Sequence, residues 1–246
     1  MIDTSLNYSG KTVCIIGGSS GIGNATAQAF RGCGAEVHVT GTRASEDDYD
    51  KADGSDLDGL HYHQVDAADD RDIEQLRQKF DRLDVLICSQ GMVMYKRAEF
   101  EPENFNKVIQ VNLNSLMTCT GQFYDLLKDS QGAVIIISST AAFHATVGNP
   151  AYNASKTGAM GLTRTLGKAW APDGIRVNGI APGLIATKMT KVTTDNPKRR
   201  DATIRSIPLG RIGDPDDMAG LSLYLASPLA GYIVGQTIIA DGGLLL

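Results

Sequence analysis

Tyr152 and Lys156 stand four residues apart in Tyr152-Asn153-Ala154-Ser155-Lys156, a spacing that puts both side chains on one face of a helix. A free phenol ionises near pH 10, so it is a poor base at neutral pH, and bringing it there takes roughly 4 kcal/mol of differential stabilisation. An ammonium at short range favours the phenolate and is expected to lower the Tyr152 pKa. Such a pair could pass a proton to or from a substrate oxygen. Ser139 lies thirteen positions earlier, where a hydroxyl could steady an oxygen as charge develops on it. Ser138 competes for that role, since only one of two adjacent residues can face the same site.

A second constellation is Gly17-Gly18-Ser19-Ser20-Gly21-Ile22-Gly23. It follows the apolar run Thr12-Val13-Cys14-Ile15-Ile16 and precedes a segment, 24–32, with Ala25, Ala29 and Phe30 at helical spacing. Glycines at such a turn let backbone N–H groups approach a pyrophosphate at the positive end of a helix. The spacing is Gly-x-x-x-Gly-x-Gly rather than Gly-x-Gly-x-x-Gly, so the loop alone is a weak signal.

These residues need a frame. Further strands are expected at 36–40, 60–65, 84–88, 133–138, 175–180 and 236–239, with helices at 69–80, 104–127 and 151–170. Most of the strand runs are apolar throughout, as a sheet covered on both faces requires. Their alternation with helices predicts an α/β fold, a doubly wound parallel sheet of about seven strands in one domain spanning 1–246. Ser139 then falls at the C-terminal end of the fifth strand, where such sheets bind ligands.

Composition narrows the partners. The net charge of −5 argues against nucleic acid as a partner, which demands a concentrated basic surface. Lys198-Arg199-Arg200 runs into Asp201 and reads as a solvated loop. Cys14, Cys33, Cys88 and Cys119 lack metal-ligand spacing and read as reduced thiols. No run approaches the roughly 20 apolar residues of a membrane span, and Met1-Ile2-Asp3-Thr4-Ser5 lacks the features of a leader. A cytoplasmic protein with no membrane partner is expected.

In this order the motifs resemble the short-chain dehydrogenase/reductase family, in its compact single-domain Rossmann-type form, over essentially the whole chain. The resemblance implies an NAD(P)-dependent oxidoreductase that interconverts a secondary alcohol and a ketone, a small-molecule carbonyl or alcohol substrate. It makes Tyr152 the acid/base, Lys156 the ligand of the nicotinamide ribose, and Ser139 the residue that positions substrate. It makes Asn112 the helix residue whose local distortion serves a proton relay. A bound nicotinamide cation would add to the pull of Lys156 on the phenol. Cofactor contacts are expected from Gly17, Ser19, Ser20, Gly21, Ile22 and Gly23, from Asp66 and Ala67 past the third strand, and from Ser89 and Gly91 past the fourth. Pro182, Gly183, Ile185 and Thr187 follow the sixth strand and complete the set. One departure is Cys88-Ser89-Gln90-Gly91, where the family carries Asn-Asn-Ala-Gly. The first alternative is a 3-oxoacyl-[acyl-carrier-protein] reductase, although Leu127-Lys128-Asp129-Ser130-Gln131 and Ala171-Pro172-Asp173 offer little basic surface for a carrier. The second is a non-catalytic nicotinamide-sensing protein.

NADP(H) is favoured over NAD(H). Thr40-Gly41-Thr42-Arg43 ends the second strand without a carboxylate for the ribose hydroxyls, and Arg43 with Ser20 and Thr42 could hold a 2′-phosphate. His144 is a candidate substrate contact. Met92, Val93, Met94 and Tyr95 are candidates for an apolar wall, and Trp170 for core. His61-x-His63 is a metal-like pair without a third ligand in the sequence, so no metal is expected. The polar stretch 190–211 is expected to form a lid over the substrate. A homotetramer is expected through helices 104–127 and 151–170, where Ala154, Gly158, Ala159, Gly161 and Gly167 would allow close approach, beside Met160 and Leu162. The apolar end Leu244-Leu245-Leu246 is expected against a neighbouring subunit.

Overall fold

In the computed structural model, which describes residues 6–246, seven parallel strands form one sheet in the order β3-β2-β1-β4-β5-β6-β7. The leader reading falls on Met1–Ser5 and lies outside the described residues. In chain order the elements are β1 (Thr12–Ile16), α1 (Gly21–Gly32), β2 (Glu36–Gly41), β3 (His61–Gln64), α2 (Asp70–Arg77) and β4 (Val85–Cys88). Then come α3 (Pro102–Ile109), α4 (Ser115–Gln122), α5 (Tyr124–Ser130), β5 (Ala133–Ile137), α6 (Pro150–Trp170) and β6 (Arg176–Pro182). The last are α7 (Lys191–Thr194), α8 (Pro197–Ser206), α9 (Pro215–Ala226) and β7 (Thr237–Ala240).

The strands sort their side chains by the two-residue period of a pleated sheet. Cys14 and Ile16, Leu86 and Cys88, and Val134 and Ile136 join a core with Ile73, Leu116, Phe123, Leu127 and Ala159, beneath α2, α4, α5 and α6. Their neighbours Val13 and Ile15, Val85 and Ile87, and Ile135 and Ile137 join another core with Ala27, Phe30, Met218 and Leu223, beneath α1 and α9. Burial on both faces is why these strands read as unbroken apolar runs. β3 differs: His61–Gln64 is an edge strand of polar, partly exposed residues. Trp170 is partly buried against the first core, and Cys14, Cys88 and Cys119 are buried free thiols.

Two expectations are corrected. The helix expected over 104–127 is broken into three helices. A π-turn at Gln110–Asn114 separates α3 from α4, and Phe123, at φ −94° and ψ 1°, separates α4 from α5. The basic triplet Lys198-Arg199-Arg200 is not in a loop but on α8, whose start is capped by Asn196 accepting from the Arg199 amide, with Pro197 in the first turn.

The strand order reverses direction between β1 and β4, so the loops after these strands diverge and leave a crevice. No helix among the described residues is long and apolar enough to cross a membrane.

Candidate active site

The crevice is a cavity of about 330 Å³ at the C-terminal ends of the strands. Its floor is the turn between β1 and α1. Gly17 has φ +75°, and a Cβ there would sit 2.8 Å from the Gln90 backbone, so only glycine allows β1 and the loop after β4 to approach this closely. The Gly17 amide donates to Thr40 Oγ1 (2.9 Å), tying the turn to β2. Asn24 pins the other side. Its Nδ2 donates to Gly18 O (3.3 Å) and Asp56 O (2.8 Å), and its Oδ1 accepts from the Asp56 amide (2.9 Å).

At the start of α1, the Ser20 side chain makes no capping hydrogen bond and the first turn carries no acid. The positive end of the helix macrodipole therefore faces the cavity without a compensating anion from the chain. A glycine cradle with an uncapped helix N-terminus suits a pyrophosphate. Buried Gln90 Oε1 beside it has no hydrogen-bond partner among the described residues, an acceptor open to a ligand donor. These residues fit a nicotinamide dinucleotide.

The cavity brings together Gly17, Ser19, Ser20, Gly21, Ile22, Thr42, Asp66, Ala67, Ser89 and Gly91 with Ser139, Tyr152, Lys156, Pro182, Gly183, Ile185 and Thr187. Four expected residues do not line it. Gly23 lies behind the turn, where a Cβ would collide with the Gly17 carbonyl. Asn112 is fully buried, bonded to Met92 and Ser155. Arg43 is exposed, with its guanidinium 4.7 Å from the Tyr49 ring centre and bonded to the Asp48 carbonyl. His144 is exposed, its Nδ1 on the Ala145 carbonyl at 2.9 Å. Met92, Val93, Met94 and Tyr95 are also absent from the lining, so the apolar wall expected there is not present in this cavity. Tyr95 instead donates to Met189 O (2.7 Å) across the mouth.

The two serines are separated by what they bond. Ser138 is buried and donates to the Lys156 carbonyl (2.8 Å). Ser139 Oγ accepts from the Ala141 amide (3.1 Å), which leaves its own proton to donate on the cavity side, where it bonds the Tyr152 phenol. Asn112 accepts from the Met92 amide (2.8 Å) and donates to Met92 O (2.9 Å) and Ser155 Oγ (3.2 Å). The π-turn thus clamps the loop after β4 to the second turn of α6.

Lys156 Nζ is buried, donates to Ile137 O (2.8 Å) and lies 5.7 Å from the Tyr152 ring centre. Burial pulls its pKa down to about 8. The Tyr152 phenol is raised above its ordinary value, first by burial and then by the charges of Tyr95 and Glu99, while Ser139 acts in the opposite sense. This corrects the expected lowering: at this distance, and desolvated itself, the Lys156 ammonium does not overcome the cost of ionising a buried phenol.

Three residues without a sequence signal shape the site. Glu99 is fully buried. Its Oε2 accepts from the Tyr152 amide (2.9 Å), and its Oε1 accepts from the Met94 amide (2.9 Å) and Asn149 Nδ2 (3.4 Å). A carboxylate at the start of α6 complements the helix dipole and fixes the backbone that carries the phenol. Lys188 lines the cavity and donates to Ser55 Oγ (3.2 Å). Tyr49 folds back over Gly41, where its hydroxyl accepts from the Arg43 amide (3.3 Å). Burial alone would raise the Tyr49 pKa, but hydrogen bonds from Ser19, Tyr62 and Arg43 bring it below its usual value.

Comparison with known proteins agrees with this geometry. Residues 17–245 match the family described as enoyl-(acyl carrier protein) reductase. The chain is 34% identical over 248 residues to a 2-dehydro-3-deoxy-D-gluconate 5-dehydrogenase of Bacillus subtilis, covering 97% of this chain and 96% of that protein. It is likewise 34% identical over 249 residues to a 3-oxoacyl-[acyl-carrier-protein] reductase of Thermotoga maritima, covering 98% and 100%. Among solved structures, a putative 2-deoxy-D-gluconate 3-dehydrogenase from Agrobacterium tumefaciens with bound NADP superposes with a TM-score of 0.86 at 31% identity, over 99% of both chains. The chain belongs to the short-chain dehydrogenase/reductase family and is an NAD(P)-dependent oxidoreductase acting on CH–OH donors.

Proposed function

We propose that the chain reduces a ketone to a secondary alcohol, and the reverse, with NADP(H) preferred and Tyr152 as acid/base. One observation carries this reading: Tyr152, Ser139 and Lys156 face the same cavity as the uncapped N-terminus of α1. When bound, the dinucleotide supplies or accepts the hydride. Ser139 turns its proton from the Tyr152 phenol to the substrate oxygen and holds the carbonyl. Tyr152, neutral at pH 7 because burial raises its pKa, gives the phenolic proton to that oxygen in the reductive direction. That leaves Tyr152 as the phenolate, and it is this ionised form that takes the alcohol proton in the oxidative direction. Lys156, anchored on Ile137 O, keeps its remaining N–H groups for the ribose hydroxyls and the phenol. Asn112 and Ser155 hold the backbone on which the exchange is staged.

The preference for NADP(H) rests on the end of β2. No acid stands between Thr40 and Glu46, and Gly41 cannot acquire a side chain while Tyr49 and Ser19 occupy its Cβ direction. Arg43, stacked on Tyr49 at the rim, supplies the charge for a 2′-phosphate by swinging off the Asp48 carbonyl.

A sugar acid or another polar hydroxy acid is the substrate class we favour, by analogy with the gluconate-type dehydrogenases above. The carrier-protein alternative is weakened at the surface expected to dock it, because Lys128 is neutralised by Asp173 at 2.8 Å. We further propose one domain, a cytoplasmic setting, α7 and α8 as the lid, and a homotetramer. For the tetramer, the small residues of α6 divide. Gly158 packs on Leu113, Gly167 on Gly235, and Ala159 is buried within the chain, which leaves Ala154 and the open Gly161 for a partner. Leu246 is fully exposed in the single chain.

The decisive experiment is a turnover screen with NADPH, NADH and their oxidised forms over sugar acids, hydroxy acids, simple ketones and 3-oxoacyl thioesters. Reduction of a ketone that is lost in Tyr152→Phe supports the reading. Turnover that survives the substitution, or is confined to carbon–carbon double bonds, overturns it.

A further inference from the structure

Three of the chain's four histidines meet at the edge of the sheet, His38 on β2 and His61 and His63 on β3, away from the cavity. Parallel pairing sets His38 directly beside His61, and Thr40 beside His63. His61 and His63 alone offer only a pair. The register adds His38, and Glu36, two residues earlier on the same face of β2, adds a carboxylate.

The geometry points to a site for a divalent transition ion, of the zinc, cobalt, nickel or copper class, ligated by Glu36 Oε1, His38 Nε2 and His61 Nε2. One ligand atom from each of these residues lies within 4.8 Å of the other two. The carboxylate oxygen is 3.6 Å from His38 Nε2 and 3.7 Å from His61 Nε2. Ligand atoms about 2.1 Å from a tetrahedral zinc are about 3.4 Å apart, so two of the three edges are within a few tenths of an ångström of closure. The third closes by rotation of His61, an exposed ring stacked on His38 at 4.7 Å. Mixed imidazole and carboxylate donors favour borderline ions over magnesium or calcium, which prefer oxygen alone.

The ring of His38 is held for this role. It packs 4.6 Å from Phe80, and its Nδ1 lies 2.9 Å from His63 Nε2. When His38 Nδ1–H donates to His63, the Nε2 lone pair is left facing Glu36, the outer-shell arrangement that orients metal-bound histidines. The Lys79 ammonium lies 3.5 Å from His63 Nδ1, on the ring edge away from His38. Being exposed, it can turn to solvent as that nitrogen takes the proton.

The ion would clip the edge strand to its neighbour. Five residues of extended chain, about 16 Å, separate Glu36 from Gly41 at the cofactor end of β2, so the effect falls on stability and not on turnover.

The test is zinc titration of tag-free, chelator-treated full-length protein by calorimetry, with melting temperature and turnover followed in parallel. One ion per chain is expected, with a melting temperature that rises with zinc concentration. His61→Asn and Glu36→Gln alter exposed side chains and should each weaken zinc tenfold or more, with circular dichroism and turnover unchanged. His63→Gln, which removes only the orienting partner, should cost about tenfold. Cobalt should show ligand-field bands without thiolate charge transfer, which separates this site from half-buried Cys33. Undiminished zinc affinity in His61→Asn, no saturable binding, or a thiolate band overturns the proposal.

Discussion

Replacing Lys156 with methionine should make the cofactor-free protein more stable while it loses turnover. The side chain is buried, its only hydrogen bond runs to Ile137 O, and burial lowers its pKa from 10.5 to about 8. Each pH unit of that difference is worth about 1.4 kcal/mol, so holding the ammonium in the fold costs about 3 kcal/mol at neutral pH. Methionine fills a similar volume but leaves the Ile137 carbonyl unpaired, returning about 1–2 kcal/mol of the gain. The net expectation at pH 7 is a stabilisation of about 1–2 kcal/mol. The pH dependence carries a sharper signature. Between pH 8 and 10.5 the unfolded chain holds the lysine proton and the folded chain does not, so wild-type stability rises with pH by up to about 1.4 kcal/mol per unit. That stability is fully present above pH 10.5 and lost as pH falls through 8. The variant lacks this rise. Urea denaturation of both proteins from pH 7 to 10.5 measures the difference, in which other titrating groups cancel. A difference that stays flat across the window refutes the reasoning, as does a variant less stable than wild type by about 2 kcal/mol at pH 7.

Tyr152→Phe keeps the ring and removes only the proton carrier. Turnover should fall at least about 100-fold, with nucleotide affinity, read by fluorescence, nearly unchanged. Ser139→Ala should be severely impaired in kcat, whereas Ser138→Ala should turn over normally and lose about 1 kcal/mol in urea denaturation from its bond to the Lys156 carbonyl; the reverse order would reassign the serine. Arg43→Ala should lower kcat/KM for NADPH about tenfold and leave NADH untouched in steady-state assays. Light scattering should give the mass of a tetramer, and removal of Leu244, Leu245 and Leu246 should release dimers if that tail joins them.

The strands were legible because a sheet buried on both faces writes itself as runs such as Val134-Ile135-Ile136. Tyr152, Lys156 and the glycine turn could be singled out because each is a pattern local in sequence, and the fold brings them to one cavity. The break at Gln110–Asn114 was not readable as secondary structure: Gln-Val-Asn-Leu-Asn contains no glycine or proline, and one residue added to a helical turn leaves no compositional mark. Glu99 was invisible for a different reason. Its partners are amides at 94 and 152, so its role exists only once the chain has brought those backbones together. The same holds for Tyr49, whose importance lies in the empty side of Gly41. Arg43 and His144 were placed in the site by sequence proximity, yet both turn outward onto local carbonyls. Conversely, residues 190–211 carried readable helix signals, Asn196 followed by Pro197, beneath their polar composition.

The packing of Tyr49 over Gly41 has an evolutionary consequence. A carboxylate at position 41 is the simplest way to favour NAD(H), but a Cβ there points into the Tyr49 hydroxyl and stands 2.6 Å from Ser19 Oγ. Gly41→Asp alone would expel the tyrosine and break its bonds to the Arg43 amide and Tyr62. Loss of Tyr49 alone would open a hole without supplying the acid. Each step is harmful by itself and useful only in company with the other. The preference proposed for NADP(H) is therefore protected by the shape of the mutational path, and a laboratory selection for NAD(H) that proceeds one substitution at a time should stall here, whereas a paired library at 41 and 49 should not.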